Sequence, residues 1–204
     1  MKIVYEIDVT KEQHEAIESL RNQAFPDHQA NRSYYKQLPH MRALQYENNI
    51  LVGYLGLDYR AIKVGDEVYN VLGIIDFCVA EQWRGKGIGS LMLSEVSSFA
   101  QGKAVDFIML ISELDEFYRK QGYSKVEGIH SWLRLHEHTN YGVAVKHIDE
   151  LFIKSISGKQ WACRLAGLYV LIGHRANKAF KRDSQRLAVL VQSLTFVFMA
   201  QWFS

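Results

Sequence analysis

The residues most able to do chemistry are concentrated between Ile74 and Leu93, in the stretch IIDFCVAEQWRGKGIGSLML. Gly85, Gly87 and Gly89 let the backbone turn sharply and approach a ligand with no Cβ in the way, while Arg84 and Lys86 bring positive charge to the same turn. Past the turn, Ile88, Leu91, Met92, Val96, Phe99 and Ala100 have the spacing of one buried helical stripe. That stripe pins the helix against a sheet and leaves its first amide groups, which together carry roughly half a positive charge, facing the turn. The combination is an anion cradle suited to phosphate or pyrophosphate. Two familiar cradles fail on spacing. No Gly-x-x-x-x-Gly-Lys-Ser/Thr run exists, and the three glycines give G-x-G-x-G where a dinucleotide loop needs G-x-G-x-x-G.

Asp76 is the only acid in the apolar strand that feeds this turn, and a carboxylate there costs several kcal/mol unless satisfied, which argues for a purpose. Its direction stays open, because one residue of misregister turns a strand side chain to the opposite face. Tyr34, Tyr35 and His40 lie in PDHQANRSYYKQLPH, a polar and aromatic stretch between two prolines, where they are either ligand contacts or rings packed at a helix edge. Cys78 and Cys163 are too few for a disulfide framework and sit in no Cys-x-x-Cys pattern, so no metal site is expected from them. The run His136-Glu137-His138 reads as a solvent-facing strand end.

These residues need a scaffold, and the periodicities supply one. Residues 2 to 7 alternate as a strand. Thr10 with Gln13 makes a capping box that starts a helix through Ala24, with Ala16, Ile17, Leu20 and Ala24 inward. Residues 26 to 40 suit a short helix plus loop. Asn48-Asn49 joins MRALQYEN to ILVGYLGLDYRAIKV as a tight hairpin. A turn at Gly65-Asp66-Glu67 follows, and VYNVLG leads into a strand over 73–80. The glycine helix ends near Gly102, DFIMLIS is a buried strand, and Ser112 with Asp115 forms a second capping box for the helix ELDEFYRKQ, which Gly122 stops. The expected architecture is α+β, three layers about a mixed sheet. Its 204 residues suit one domain, 1–161, with an extension over 162–204. With 24 Lys+Arg against 22 Asp+Glu there is no electrostatic reason to expect nucleic acid. The opening MKIVYEIDVT is strand-like and acidic rather than a signal peptide, so the cytoplasm is the expected compartment.

Arg84, Gly87 and Gly89 fill the three fixed positions of Arg/Gln-x-x-Gly-x-Gly/Ala, and the run resembles the pyrophosphate loop of the GNAT superfamily of N-acetyltransferases. About 30 residues on, FYRKQGY at 117–123 resembles that family's Phe-Tyr-x-x-x-Gly-Phe/Tyr signature, and the element order agrees over roughly residues 1 to 160. The resemblance implies a GNAT acyltransferase fold with splayed middle strands. It also implies acetyl-CoA held by the loop Arg84, Gly85, Lys86, Gly87, Ile88, Gly89 and Ser90, its pantetheine arm pairing with the backbone of Phe77, Cys78 and Val79. It further implies direct acetyl transfer to the primary amine of a small molecule, an aminoglycoside-like antibiotic among the candidates. Tyr118 matches the family's general acid, and a phenol with a pKa near 10 stays protonated at neutral pH to supply a departing thiolate. Asp76 is the candidate base, with Glu113, Asp149 and Glu150 in reserve, and Tyr34, Tyr35, His40, Asp149 and Glu150 are the candidate acceptor contacts. Cys78 becomes a small core residue rather than a nucleophile. Arrangement of the hairpin, the FYRKQGY helix and the late strand HIDELFIKSISGKQW is most similar to the branch of aminoglycoside 2'-N-acetyltransferases and nodulation acyltransferases. The competing reading is a domain that holds acetyl-CoA without an effective base and serves as a sensor or interaction module.

The extension changes character. Its run RANKAFKRDSQRLAV is basic, and the segment from Leu187 to Phe203 is apolar apart from Gln192, Ser193, Thr195 and Gln201. At about 17 residues it falls short of the ~20 that span a bilayer, so no stable membrane association is expected. It reads as a helix packed on the domain or pairing two subunits, as a membrane-surface helix, or as read-through. The stretch NKAFKRDSQRLAV resembles the translated recombination site of integron gene cassettes, which implies a bacterial, mobile gene.

Overall fold

A computed structural model of the chain describes residues 1–36, 38–136, 139–162 and 168–170. Its strands are β1 (Lys2–Tyr5), β2 (Met41–Glu47), β3 (Ile50–Val64), β4 (Glu67–Val79), β5 (Phe107–Ile111), β6 (Ser124–His136), β7 (Thr139–Ser155) and β8 (Leu168–Val170). They form one mixed sheet in the order β1-β2-β3-β4-β5-β7-β6-β8. The helices are α1 (Lys11–Ala24), α2 (Ile88–Ala100) and α3 (Asp115–Lys120).

Local chemistry explains the elements. The hydroxyl of Thr10 accepts from the Gln13 amide and the Gln13 side chain accepts from the Thr10 amide, so the predicted capping box starts α1. At the β2–β3 hairpin Asn48 and Asn49 have φ of 49° and 64°, the paired left-handed conformation whose twist matches the flanking strands. Helix α1 lays Ile17, Leu20 and Ala24 against Leu44, Tyr54 and Cys78 on one face of the sheet. On the other face Ile88, Met92 and Val96 of α2 and Tyr118 of α3 pack on Leu55, Leu57, Leu72, Ile74 and Phe77. A third cluster, with Val71, Phe107, Trp132 and Leu151, closes the far end of the sheet.

The seam between β4 and β5 positions the site. These strands pair in parallel only from Val71↔Phe107 to Gly73↔Met109. Beyond that point β4 pairs with β3, and β5 pairs with β7. Tyr54 faces Cys78 and Gly56 faces Ile75, so Leu55 alone opposes both Asp76 and Phe77. This is a β-bulge, and Asp76 at its centre takes a φ of 48°. An extra residue in β4 bends it away from β5 and opens the sheet.

Several expectations need correction. Glu67–Val79 is one continuous strand, so VYNVLG belongs to the strand rather than leading into it. The Ser112–Asp115 capping box does not form: α3 begins at Asp115 with Leu114 in the cap position, and the Ser112 hydroxyl accepts from the Leu114 amide at 3.1 Å. A serine two residues before the cap makes a local turn there instead. The short helix expected within residues 26–40 is a 3-10 helix, Pro26–His28, and the described residues after it are loop. Of the extension, Leu168–Val170 forms β8, parallel to β6; Cys163 and residues 171–204, including the apolar segment, lie outside the described residues, as do Glu137 and His138. Among the described residues no helix is long and apolar enough to cross a membrane.

Candidate active site

A 3-10 turn, Glu81–Trp83, carries the chain from β4 into the glycine loop. Gly85 and Gly87 have φ of 73° and 80°, conformations that cost any residue with a Cβ about 1–2 kcal/mol. A Cβ added at either would meet nothing within 4 Å, so the loop is open on that side. Gly89 is glycine for a different reason, since its Cβ would lie 3.3 Å from the Phe117 ring. Gly87 caps α2 and provides no side chain to the first helical amides, which are left to solvent or to a ligand. Arg84 fastens the loop by donating from Nε to the Val79 carbonyl at 3.0 Å, and the Lys86 ammonium lies 4.6 Å from the centroid of the Trp83 ring.

From this loop a cavity of ≈ 520 Å³ runs along the end of β4 to α3. Phe77, Cys78, Val79, Arg84, Gly85, Gly87, Ile88, Gly89, Ser90 and Tyr118 all line it; of the residues expected to hold a cofactor, only Lys86 does not. Tyr118 is 1% exposed, and its ring contacts those of Tyr123 and Phe152 at 5.7 and 5.5 Å. Helix α3 is tied to α2 where Gln121 Nε2 donates to Ser90 Oγ at 3.0 Å. Burial, reinforced by the neighbouring Asp76 carboxylate, pushes the Cys78 thiol far above its ordinary value, which suits a packing residue rather than a nucleophile. Ala24, Trp83, Leu114 and Phe117 also line the cavity and were not singled out from sequence. Trp83 and Phe117 adjoin the motif residues Arg84 and Tyr118, a signal that was available, whereas Ala24 reaches the cavity only through tertiary packing.

The remaining expected residues sit apart from the cavity lining. Asp76 turns to α1, where its Oδ2 accepts from Arg21 Nε at 3.0 Å; the Arg21 side chain is fully buried and also donates to the His28 carbonyl at 2.7 Å. Tyr35 stacks on His28 at 4.8 Å with the Arg21 guanidinium 5.3 Å away, and Tyr34 lies under Arg32 at 5.0 Å, so both rings are packed on their neighbours. His40 Nδ1 lies 2.7 Å from Oδ1 of Asp58. Asp149 and Glu150 lie on β7, where the Glu150 carbonyl accepts from the Ser112 amide at 2.9 Å, and Glu113 precedes α3. None of these lines the cavity.

Residues 42–125 match the profile of the acetyltransferase (GNAT) domain, which spans β2 through the start of β6 and includes the glycine loop and α3. No curated protein matches by sequence. Solved structures resemble the whole fold: Escherichia coli ElaA at 18% identity and TM-score 0.52, covering 76% of this chain and 98% of that one. An aminoglycoside 6'-N-acetyltransferase complexed with coenzyme A resembles it at 15% identity and TM-score 0.53, over 78% and 99%. Eis1 from Mycobacterium abscessus, at 14% identity and TM-score 0.54, covers 64% of this chain, which spans only 33% of Eis1. With the splayed sheet and glycine cradle described above, these agreements show that the chain has the GNAT acyltransferase fold and that its residues 42–125 match the GNAT acetyltransferase domain profile.

Proposed function

We propose that the protein is an N-acetyltransferase that moves the acetyl group of acetyl-CoA to a primary amine of a small molecule. The observation that carries this reading is one continuous cavity that joins the glycine cradle to Tyr118 along Phe77, Cys78 and Val79 at the end of β4. The cradle fits a pyrophosphate, because its left-handed glycines leave open space and the capping position holds no competing side chain. Beyond Gly73 the edge of β4 that turns from β5 has backbone groups to pair with an extended ligand arm, along Phe77 to Val79. Acetyl-CoA, when bound, supplies an activated acyl carbon and a thiolate leaving group. Tyr118 stands in the cavity wall as a proton donor, and the lining beside it is largely apolar.

The acceptor class is the finer part of the reading. An aminoglycoside is the first acceptor to test, since a protein of that activity shares the fold. Release of CoA thiol from acetyl-CoA with an amine panel checks the proposal, the expected result being amine-dependent turnover. Tight acetyl-CoA binding without thiol release for any amine would favour the sensor reading.

A further inference from the structure

Among the described residues three other than glycine have a positive φ: Asn48, Asn49 and Asp76. The two asparagines form the β2–β3 turn, where the left-handed conformation is wanted, but Asp76 adopts it inside β4. A residue with a Cβ keeps that conformation at a cost, so something must hold it there. Strand alternation does not. Ile74 packs under α2, and a regular strand would put Asp76 on the same apolar face. The bulge opposite Leu55 gives that place to Phe77 and turns Asp76 to α1.

On α1 the Arg21 side chain is 0% exposed, and each of its nitrogens has a partner. Nε donates to Asp76 Oδ2 at 3.0 Å, Nη1 to Asn22 Oδ1 at 2.9 Å and Nη2 to the His28 carbonyl at 2.7 Å. The Tyr35 ring, stacked on His28, lies 5.3 Å from the guanidinium. Asn22 is itself tied to the backbone of Ala30, its Nδ2 donating to the carbonyl at 2.9 Å and its Oδ1 accepting from the amide at 3.1 Å. A guanidinium held on three sides cannot follow the carboxylate if β4 straightens. Straightening would break the ion pair and leave a buried charge behind, so the contact favours the bulged strand over the regular one.

The bulge sets the register of the strand end. One residue of slip turns every later side chain to the opposite face and every later amide to the opposite edge. Phe77, Cys78 and Val79 follow directly and line the cavity, past Gly73, where pairing with β5 ends. We infer that Arg21 and Asp76 are positioning residues for acetyl-CoA, an inference that rests on the acetyl-CoA reading of the cavity. Their ion pair holds the bulge that aims the backbone of Phe77, Cys78 and Val79 at the pantetheine arm. Asp76 then serves geometry rather than proton transfer.

The test is calorimetric titration of the full chain with acetyl-CoA and with 3'-phospho-ADP, which is CoA without its pantetheine arm. Asp76→Ala and Asp76→Gly remove the same carboxylate, but a Cβ resists the left-handed φ and glycine has none. Asp76→Ala is expected to bind acetyl-CoA about tenfold more weakly than Asp76→Gly, because fewer molecules hold the competent strand, while the two bind 3'-phospho-ADP alike. Arg21→Met is expected to weaken acetyl-CoA binding with the same selectivity, and Arg21→Met/Asp76→Gly to recover it. Restored packing cannot explain that recovery, since Arg21 is still missing. Equal acetyl-CoA affinities for the two Asp76 variants, or equal losses for both ligands, would overturn the inference and leave the pair a stabilising contact. A parent chain that binds no acetyl-CoA would overturn the acetyl-CoA reading of the cavity and this inference with it.

Discussion

On the face covered by α2 and α3 the sheet meets its helices largely through apolar side chains, whereas the face covered by α1 holds buried charge at Arg21, Arg42, Asp58 and Arg60. Arg42 shows how such charge is kept. Its guanidinium donates to both Glu6 oxygens, at 2.5 and 3.0 Å, to the Ser33 carbonyl and hydroxyl at 2.8 and 3.1 Å, and to the Tyr54 hydroxyl. Burial opposes its charge, but Tyr54 and Glu6 outweigh burial and hold its pKa above the ordinary value. The same burial pushes the Tyr54 phenol well up, so it stays a neutral partner. One face therefore carries a largely apolar cavity wall, and the other holds buried charges fixed by their partners. The bulge at Asp76 opens the seam between them.

The contrast breaks most readily at Arg42. Arg42→Met removes the cation and leaves Glu6 and the buried hydroxyls without it, so a loss of about 3–5 kcal/mol is expected in urea unfolding. A loss below about 1 kcal/mol would mean the polar face is held by packing like its opposite. On the apolar face, Tyr118→Phe keeps the ring contacts and removes one proton donor. The maximal acetylation rate should fall about 10²-fold, which is about 2.7 kcal/mol of barrier, with acetyl-CoA affinity little changed. A near-normal rate would reduce Tyr118 to packing.

A buried histidine away from both faces sharpens the point that burial alone does not keep charge. His130 on β6 is 1% exposed, and burial, then His147, lower its pKa to about 4. Because the unfolded chain binds that proton near pH 6.5 and the folded chain does not, its contribution is complete above about pH 6.5 and declines as the pH falls toward about 4. Urea midpoints should reveal roughly 2–3 kcal/mol lost over that window, and His130→Gln should flatten it. The smallest expected effect concerns the extension. The described residues lining the cavity all lie between Ala24 and Tyr118, so deleting residues 175–204 should leave acetyl-CoA affinity unchanged by calorimetry. A shift from dimer to monomer on sizing the truncated chain would give the extension its role in pairing subunits.

The same contrast explains what the sequence made legible. The cradle is contiguous from Arg84 to Ser90, and the α1 cap and the Asn48-Asn49 hairpin are also local, so residue type and spacing were enough for them. Asp76 could not be aimed, because the bulge at Leu55 breaks the alternation that strand reasoning relies on. The expected box at Ser112 failed because Leu114, rather than Ser112, occupies the cap. Asp58 and His40 meet only through the β2–β3 and β3–β4 registers, which no short window contains. Arg21 did leave a trace: it falls one turn after Ile17 on the buried stripe of α1, and a basic residue there calls for a partner such as Asp76.

The central claim is that the glycine loop receives the pyrophosphate of acetyl-CoA, and calorimetric titration of Gly87 variants tests it most directly. Gly87→Ala imposes the left-handed strain with no steric clash, since a Cβ there has nothing within 4 Å, while Gly87→Glu adds a carboxylate facing the cradle. Expected are one acetyl-CoA site per chain in the parent, a modest loss of affinity in Gly87→Ala, and a loss of about 10²-fold or more in Gly87→Glu at the same thermal midpoint as Gly87→Ala, from like-charge repulsion and an occupied cradle. A folded Gly87→Glu protein that binds acetyl-CoA as tightly as the parent would contradict it.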